Sequence, residues 1–246
     1  MQRGDWPYPL WIAHRGAGKV APENTLAAFR RGWAAGFQMF ECDVKLSADG
    51  VPYLLHDATL DRTTSGHGSV EHLAWAELAP LDAGSWLAAE YAGERLLRLD
   101  ELADWCLEQG AMLNIEIKPV PGHEVATGAA VAQAAQALWA QSPLKPLLSS
   151  FQPQALQAAH QVVPALPRAL LLDRFWDDWV VAASQLDCVA LVCHHPLIDA
   201  RLMQIAGQNG WRVLAYTVND AVEARRLADL GVDGLITDNL ALPGCF

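Results

Sequence analysis

The chain has 246 residues, 52% of them hydrophobic and 18% charged, with a formal net charge of −11. That much apolar material builds a sizeable core and excludes a disordered chain, while length alone allows one barrel-sized domain or two small ones. The acidic balance argues against nucleic acid as a partner and against an anionic membrane surface as the working place, since both call for a basic face. No run reaches transmembrane length, and the opening MQRGDWPYPLWIAHRG lacks the apolar stretch of a secretory signal. Cys42, Cys106, Cys188, Cys193 and Cys245 are odd in number and without metal-ligand spacing, so reduced thiols in a cytoplasmic protein are expected.

The first apolar run, Leu10 to Ala13, predicts a short strand that ends in His14-Arg15. Gly16-Ala17-Gly18 reads as a tight turn. Pro22-Glu23-Asn24-Thr25 opens a helix in which Leu26, Phe29, Trp33 and Ala34 keep helical spacing, and Gly36 ends it. Met39 to Val44 is the second strand. Asp49-Gly50 signals a turn, and Val51 to Leu55 returns as a hairpin arm ending in His56-Asp57. From Ala58 to about Leu97 the periodicity breaks. This stretch carries the turn-rich DRTTSGHGS and a helix-like piece with Leu73, Trp75 and Leu78. It is too long for an ordinary loop and is expected to be an insertion lying over the site.

Regular alternation follows. Helices are expected over Leu99 to Gln109, Glu124 to Ala140, Pro153 to Val162, Trp176 to Gln185, Asp199 to Gln208 and Asp220 to Leu230. Strands are expected over Met112 to Ile117, Leu147 to Phe151, Arg168 to Leu172, Cys188 to Cys193, Arg212 to Val218 and Gly234 to Thr237. The main strands number eight, near residues 11, 40, 113, 148, 169, 189, 213 and 235. Eight strand-helix units predict a single (β/α)8 TIM barrel over residues 1–246, with an insertion after the second strand at about 58–97. A doubly wound open sheet is the runner-up, but no Gly-rich dinucleotide fingerprint follows the first strand.

In such a barrel, functional residues belong at the C-terminal ends of the strands. Those ends carry His14 and Arg15, then Glu41, Asp43 and Lys45, then Glu116 and Lys118, with Ser150-Phe151 and Tyr216 to Asn219 further on; His56 joins from the hairpin arm. Glu41 and Asp43 are two apart and share one face of their strand. Facing carboxylates repel unless a cation joins them, and Glu116 can supply a third oxygen. An all-carboxylate set suits a hard cation, Mg²⁺ or Ca²⁺. Exposed strand-end charges or ion pairs with Lys45 and Lys118 are the bland alternative, which would serve for one such pair but not for a whole set inside apolar runs. His14 and His56 are the candidate acid and base, and Arg15 and Lys118 the candidate phosphate ligands. His67, His72, His123 and His160 lack such company, and His194-His195 is a weak candidate for substrate contact. The ten tryptophans read as core packing, although Trp75 and Trp86 could wall a pocket.

HRG followed by PENT, then E-x-D-x-K-L-S-x-D-G, LLHD, LDRTT, NIEIKP, LLSSF and YTVN, in this order, resembles the glycerophosphodiester phosphodiesterase family, most of all its cytosolic bacterial members. The likeness runs from about Trp6 to Asp238. It implies a TIM barrel with a small insertion, and hydrolysis of glycerophosphodiesters to glycerol 3-phosphate and an alcohol. It implies a divalent metal on Glu41, Asp43 and Glu116, His14 and His56 as the acid/base pair, Arg15 and Lys118 on the phosphate, and Phe151 and Tyr216 lining the glycerol side. Tyr216 stands where many relatives carry Trp. The joint reading is attack by the glycerol 2-hydroxyl, giving a cyclic phosphate that water then opens. Two other classes stay open: a phospholipase D-type enzyme on lysophospholipids, which would need an exposed apolar or basic membrane face, and a non-catalytic phosphodiester-binding protein, which has little use for both histidines. The head group, the metal and the oligomeric state stay open too, a homodimer included.

Overall fold

The structure, a computed structural model, describes residues 6–245 of the chain. Its strands are β1 (Trp11–Ala13), β2 (Met39–Leu46), β3 (Pro52–Leu54), β4 (Met112–Ile117), β5 (Leu147–Ser150), β6 (Arg168–Leu172), β7 (Ala190–His194), β8 (Arg212–Tyr216) and β9 (Gly234–Thr237). Eight of them pair in parallel, from β1 through β2 and β4 onward to β9. Pairing of β1 with both β2 and β9 closes the sheet into the expected barrel. The ninth, β3, is the hairpin arm, antiparallel to β2 with Lys45 opposite Tyr53.

Alternation along the strands sorts side chains into two cores. Phe40, Cys42, Val44, Leu113 and Ile115 face outward and pack with helix residues such as Leu102, Trp105 and Val131. The inward set is separate: Ile12, Met39, Leu147, Ala169, Leu171, Ala190, Val192, Leu214 and Ile236 fill the barrel. Helices α1 (Leu26–Ala34), α2 (Trp75–Leu78), α3 (Leu99–Gln109), α4 (Glu124–Leu138), α5 (Pro153–Val162), α6 (Trp179–Gln185), α7 (Ala200–Asn209) and α8 (Ala221–Leu230) follow. Side-chain oxygens of Thr25, Asp199 and Asp220 accept from first-turn amides of α1, α7 and α8. The predicted helix at Trp176 starts three residues later, because Asp178 adopts φ 63°, a left-handed conformation no helix interior accommodates. Likewise the seventh strand begins at Ala190 rather than Cys188, after a left-handed Asp187 at φ 51°.

Arg168 pins the closed end of β6. Its guanidinium, on a residue only 1% exposed, donates to the carbonyls of Leu186, Pro164 and Leu166. The insertion has a core of its own, in which Leu60, Val70, Leu78, Ala83 and Leu96 pack on Tyr53 and Leu55. Trp75 sits against Tyr53, their rings 5.9 Å apart. The four described thiols inside the protein and the exposed Cys245 are all free. No described helix is long and apolar enough to cross a membrane.

Candidate active site

Glu41, Asp43 and Glu116 stand on adjacent parallel strands, with Asp43 in register with Glu116. All three are buried, and one carboxylate oxygen from each lies within 4.8 Å of the others. The loop after β1 wraps this cluster. Arg15 (φ 51°) and Asn24 (φ 59°) both take left-handed backbone, a strain that non-glycine residues carry only where surroundings impose it. Both side chains meet Asp43: Asn24 Nδ2 donates to its Oδ2 at 2.9 Å, and Arg15 Nε lies 3.2 Å from the same oxygen, a charge contact rather than an aligned hydrogen bond. The Arg15 amide donates to Glu41 Oε2 at 3.1 Å. Gly18 lets this loop press on the backbone just after β9, since a Cβ there would sit 2.3 Å from Asp238 Cα.

Lys118 completes the charge set, its Nζ 2.7 Å from Glu116 Oε1 and 3.4 Å from Asp43 Oδ1. Each histidine is held by an acid through Nδ1. His14 Nδ1 meets Asp238 Oδ1 at 2.7 Å and His56 Nδ1 meets Asp57 Oδ1 at 2.6 Å. In a neutral imidazole that contact keeps the proton on Nδ1 and leaves Nε2 as the acceptor. His14 Nε2 looks toward Glu41 Oε2, 3.7 Å away. Asp238 is itself anchored by Asn219 Nδ2 at 2.9 Å. Asp57 is anchored by Arg62 Nε at 2.6 Å, and the same guanidinium donates twice to Glu23 at 2.7 and 2.8 Å. Glu23 in turn accepts from Arg15 at 2.8 Å. One chain of charges thus runs from Arg15 through Glu23, Arg62 and Asp57 to His56.

The electrostatics match the crowding. Burial, then the nearby Asp43 and Glu116 charges, push the Glu41 carboxyl well above its usual range. Burial and Asp43 push Glu116 up to about 7. Asp43 goes the other way: against the desolvation cost, Arg15 and Lys118 hold it below the ordinary aspartate range. Burial lowers His56. A divalent cation taking the place of the protons that raised carboxyls hold would leave three anionic oxygen ligands. The donor set therefore fits a hard cation.

Two cavities meet at Glu116 and Phe151. The inner one, about 20 Å³, is lined by His14, Glu41, Asn114, Ser149 and Tyr216 among others. Asn114 Oδ1 and Ser149 Oγ are buried there without a hydrogen-bond partner. The outer cleft, about 420 Å³, carries His56, Lys118, Lys45, Ser150 and Gln152. Phe151 and Tyr216 stand edge to face, 5.9 Å apart, and Lys118 Nζ lies 5.5 Å from the Phe151 centroid.

All nine candidate residues thus surround these two cavities or the carboxylate cluster. The weaker candidates do not. His195 is tied to Glu223 at 2.6 Å, His194 lies beside Tyr216 outside both cavities, and Trp75 and Trp86 wall neither. The insertion touches the site's rim at Ala58 and Arg62 rather than covering it. Sequence reasoning placed Asn219 at a strand end without a role, and it missed Glu23, Asn24, Asp57, Arg62 and Asp238. Asp238 follows the last strand directly, so the strand-end rule could have found it.

The model of the glycerophosphoryl diester phosphodiesterase family matches residues 14–242. A glycerophosphodiester phosphodiesterase of Caldanaerobacter subterraneus is 33% identical over 235 residues, covering 94% of each chain. Another from Bacillus subtilis is 28% identical over 93% of this chain and 83% of its own. Among solved structures, a phosphodiesterase of Oleispira antarctica in complex with the product sn-glycerol-3-phosphate superposes with a TM-score of 0.89 at 35% identity, over 96% of each chain. A glycerophosphodiester phosphodiesterase of Agrobacterium tumefaciens does so at 0.81 and 26%, over 97% of this chain and 100% of its own. The chain belongs to the glycerophosphoryl diester phosphodiesterase family and is an enzyme of that class.

Proposed function

We propose that the enzyme hydrolyses glycerophosphodiesters to sn-glycerol 3-phosphate and an alcohol, with His14 and His56 exchanging protons and Glu41, Asp43 and Glu116 holding a divalent cation, Mg²⁺ or Ca²⁺. The observation that carries this reading is the meeting of two cavities at one carboxylate cluster, with an acid-held histidine on each side. Bound there, the cation would supply Lewis-acid stabilisation of phosphoryl oxygen and acidify a hydroxyl beside it. Arg15 and Lys118 offset charge that grows on the phosphoryl oxygens. The inner cavity admits only a hydroxyl-sized group, so the glycerol lies across its mouth against Phe151 and Tyr216. One histidine takes the glycerol 2-hydroxyl proton at Nε2, the oxygen attacks phosphorus, and the other histidine protonates the departing alcohol. Water then opens the cyclic phosphate with the two roles exchanged. Asp238 and Asp57 hold each ring in the tautomer this needs. The acidic surface and free thiols agree with a cytoplasmic setting.

The test is release of glycerol 3-phosphate from a panel of glycerophosphodiesters, with and without EDTA, alongside a 2-deoxy analogue. Cation-dependent release is expected, with the analogue bound but unreacted. Rapid hydrolysis of the analogue would remove the cyclic intermediate, and no release from any diester would remove the reading itself.

A further inference from the structure

Lys45 has no part in the chemistry above. Alternation puts it on the face of β2 that carries Glu41 and Asp43, one step nearer the barrel mouth. The residue is 2% exposed. Its Nζ donates to the Lys118 carbonyl at 3.1 Å, and no described carboxylate lies within ion-pair distance. The other charged groups around it are engaged: Lys118 by Glu116 and Asp43, and Asp57 by His56 and Arg62. Asp43, Glu116 and Asp57 favour this ammonium from beyond contact, but each is bonded to other partners. A buried ammonium with one hydrogen bond and no carboxylate in contact is expensive, and an apolar side chain of the same length would pack here at less cost. A group that completes the pair would offset that expense. The place for it is on the page, because Lys45 lines the outer cleft of about 420 Å³ together with His56, Lys118 and Gln152.

Resting on the phosphodiesterase reading, we infer that Lys45 is a specificity-determining residue that binds an anionic group on the leaving alcohol. The cleft lies on the far side of Glu116 and Phe151 from the inner cavity, so the glycerol occupies one side and the alcohol the other. The cleft has room for a small head group, and Ser150 Oγ is already bonded to the Ile117 carbonyl. Lys45, with one bond to a carbonyl and two N–H groups to spare, is thus the cleft's ammonium without a carboxylate in contact, and an alcohol that carries a carboxylate satisfies it.

The experiment compares three glycerophosphodiesters, whose alcohols are 3-hydroxypropanoate, propanol and choline, in wild type, Lys45→Gln and Lys45→Met, all loaded with Mg²⁺. The ratio of kcat/KM for the carboxylate ester to that for the propanol or choline ester should fall roughly ten- to hundredfold in both variants, the size of a charge-assisted hydrogen bond. Each ratio comes from one preparation, so partly unfolded variant cancels. An equal loss for all three esters would assign Lys45 to the scissile phosphate and overturn the inference; an unchanged ratio would also overturn it. If neither variant folds, a wild-type enzyme that shows no preference for the carboxylate ester over the propanol ester overturns it. Failure of wild type to cleave any ester would instead bring down the phosphodiesterase reading.

Discussion

The two halves of the barrel interior obey the same alternation and do opposite things with it. Across β6 to β9 the middle inward positions are Ala169, Leu171, Ala190, Val192, Leu214 and Ile236, all buried and apolar, with polar groups left to the strand ends, Arg212, His194 and Tyr216. Across β2, β4 and β5 the series begins alike, with Met39, Met112 and Leu147, and then departs: Glu41, Asp43 and Lys45; Asn114, Glu116 and Lys118; Ser149 and Phe151. Burial is the same on both sides, Asp43 and Ser149 being as enclosed as Leu214. One half contributes the hydrophobic stabilisation that closes the barrel. The other gives stability up, by crowding carboxylates in a desolvated place, and gains a cluster whose oxygens fit a cation. Function here is a local violation of the pattern that builds the fold.

Substitutions should separate the halves. The largest effect belongs to the polar half: Glu41→Gln should abolish turnover while the metal-free protein keeps its thermal midpoint or gains, because an amide escapes the burial cost and then the repulsion that raise that carboxyl. A lowered midpoint in metal-free protein would mean that Glu41 supports the fold. Next in size, His14→Ala and His56→Ala should each lower turnover roughly 10²–10⁴-fold, the range of a general acid or base. Metal affinity should stay close to that of wild type; a parallel loss, seen by calorimetric titration, would make that histidine a ligand. In the apolar half, Leu214→Ala should destabilise by about 2–5 kcal/mol in denaturant unfolding, the range for buried leucines. The residual folded enzyme should keep its substrate preference.

The smallest effect is in pH. Glu116 is raised to about 7 in the folded protein, against an ordinary value of about 4.5. Between those values the unfolded chain binds fewer protons than the folded one at this site. Metal-free protein therefore loses stability from this group as pH rises through that window, and the loss is complete above about 7. Thermal midpoints of metal-free wild type and Glu116→Gln, measured from pH 4 to 8, should diverge in that direction. Saturating Mg²⁺ should flatten the wild-type curve.

Most of the fold was legible because strand ends and helix caps leave local signals. The Glu-x-Asp pair on one strand face announced the cluster, and Glu116 lay at the matching end of the next parallel strand. What stayed hidden was held by tertiary pairing alone. Asp238 reaches His14 across 224 positions, and Arg62 reaches Glu23 across 39. No period connects such residues. The starts of α6 and β7 slipped because Asp178 and Asp187 adopt left-handed backbone, to which hydrophobic spacing is blind. The insertion's packing was hidden for a related reason: its apolar residues close a core of their own over Tyr53, while Ala58 and Arg62 reach the site's rim.

The most direct test of the account is a calorimetric titration of Mg²⁺ into chelator-treated wild type, Asp43→Asn and Leu214→Ala, with glycerol 3-phosphate release measured on the same samples. The account predicts one cation per wild-type chain, restored turnover on its return, retained binding in the folded Leu214 variant, and neither binding nor turnover in the Asp43 variant. Full turnover by wild type with no cation bound would contradict it.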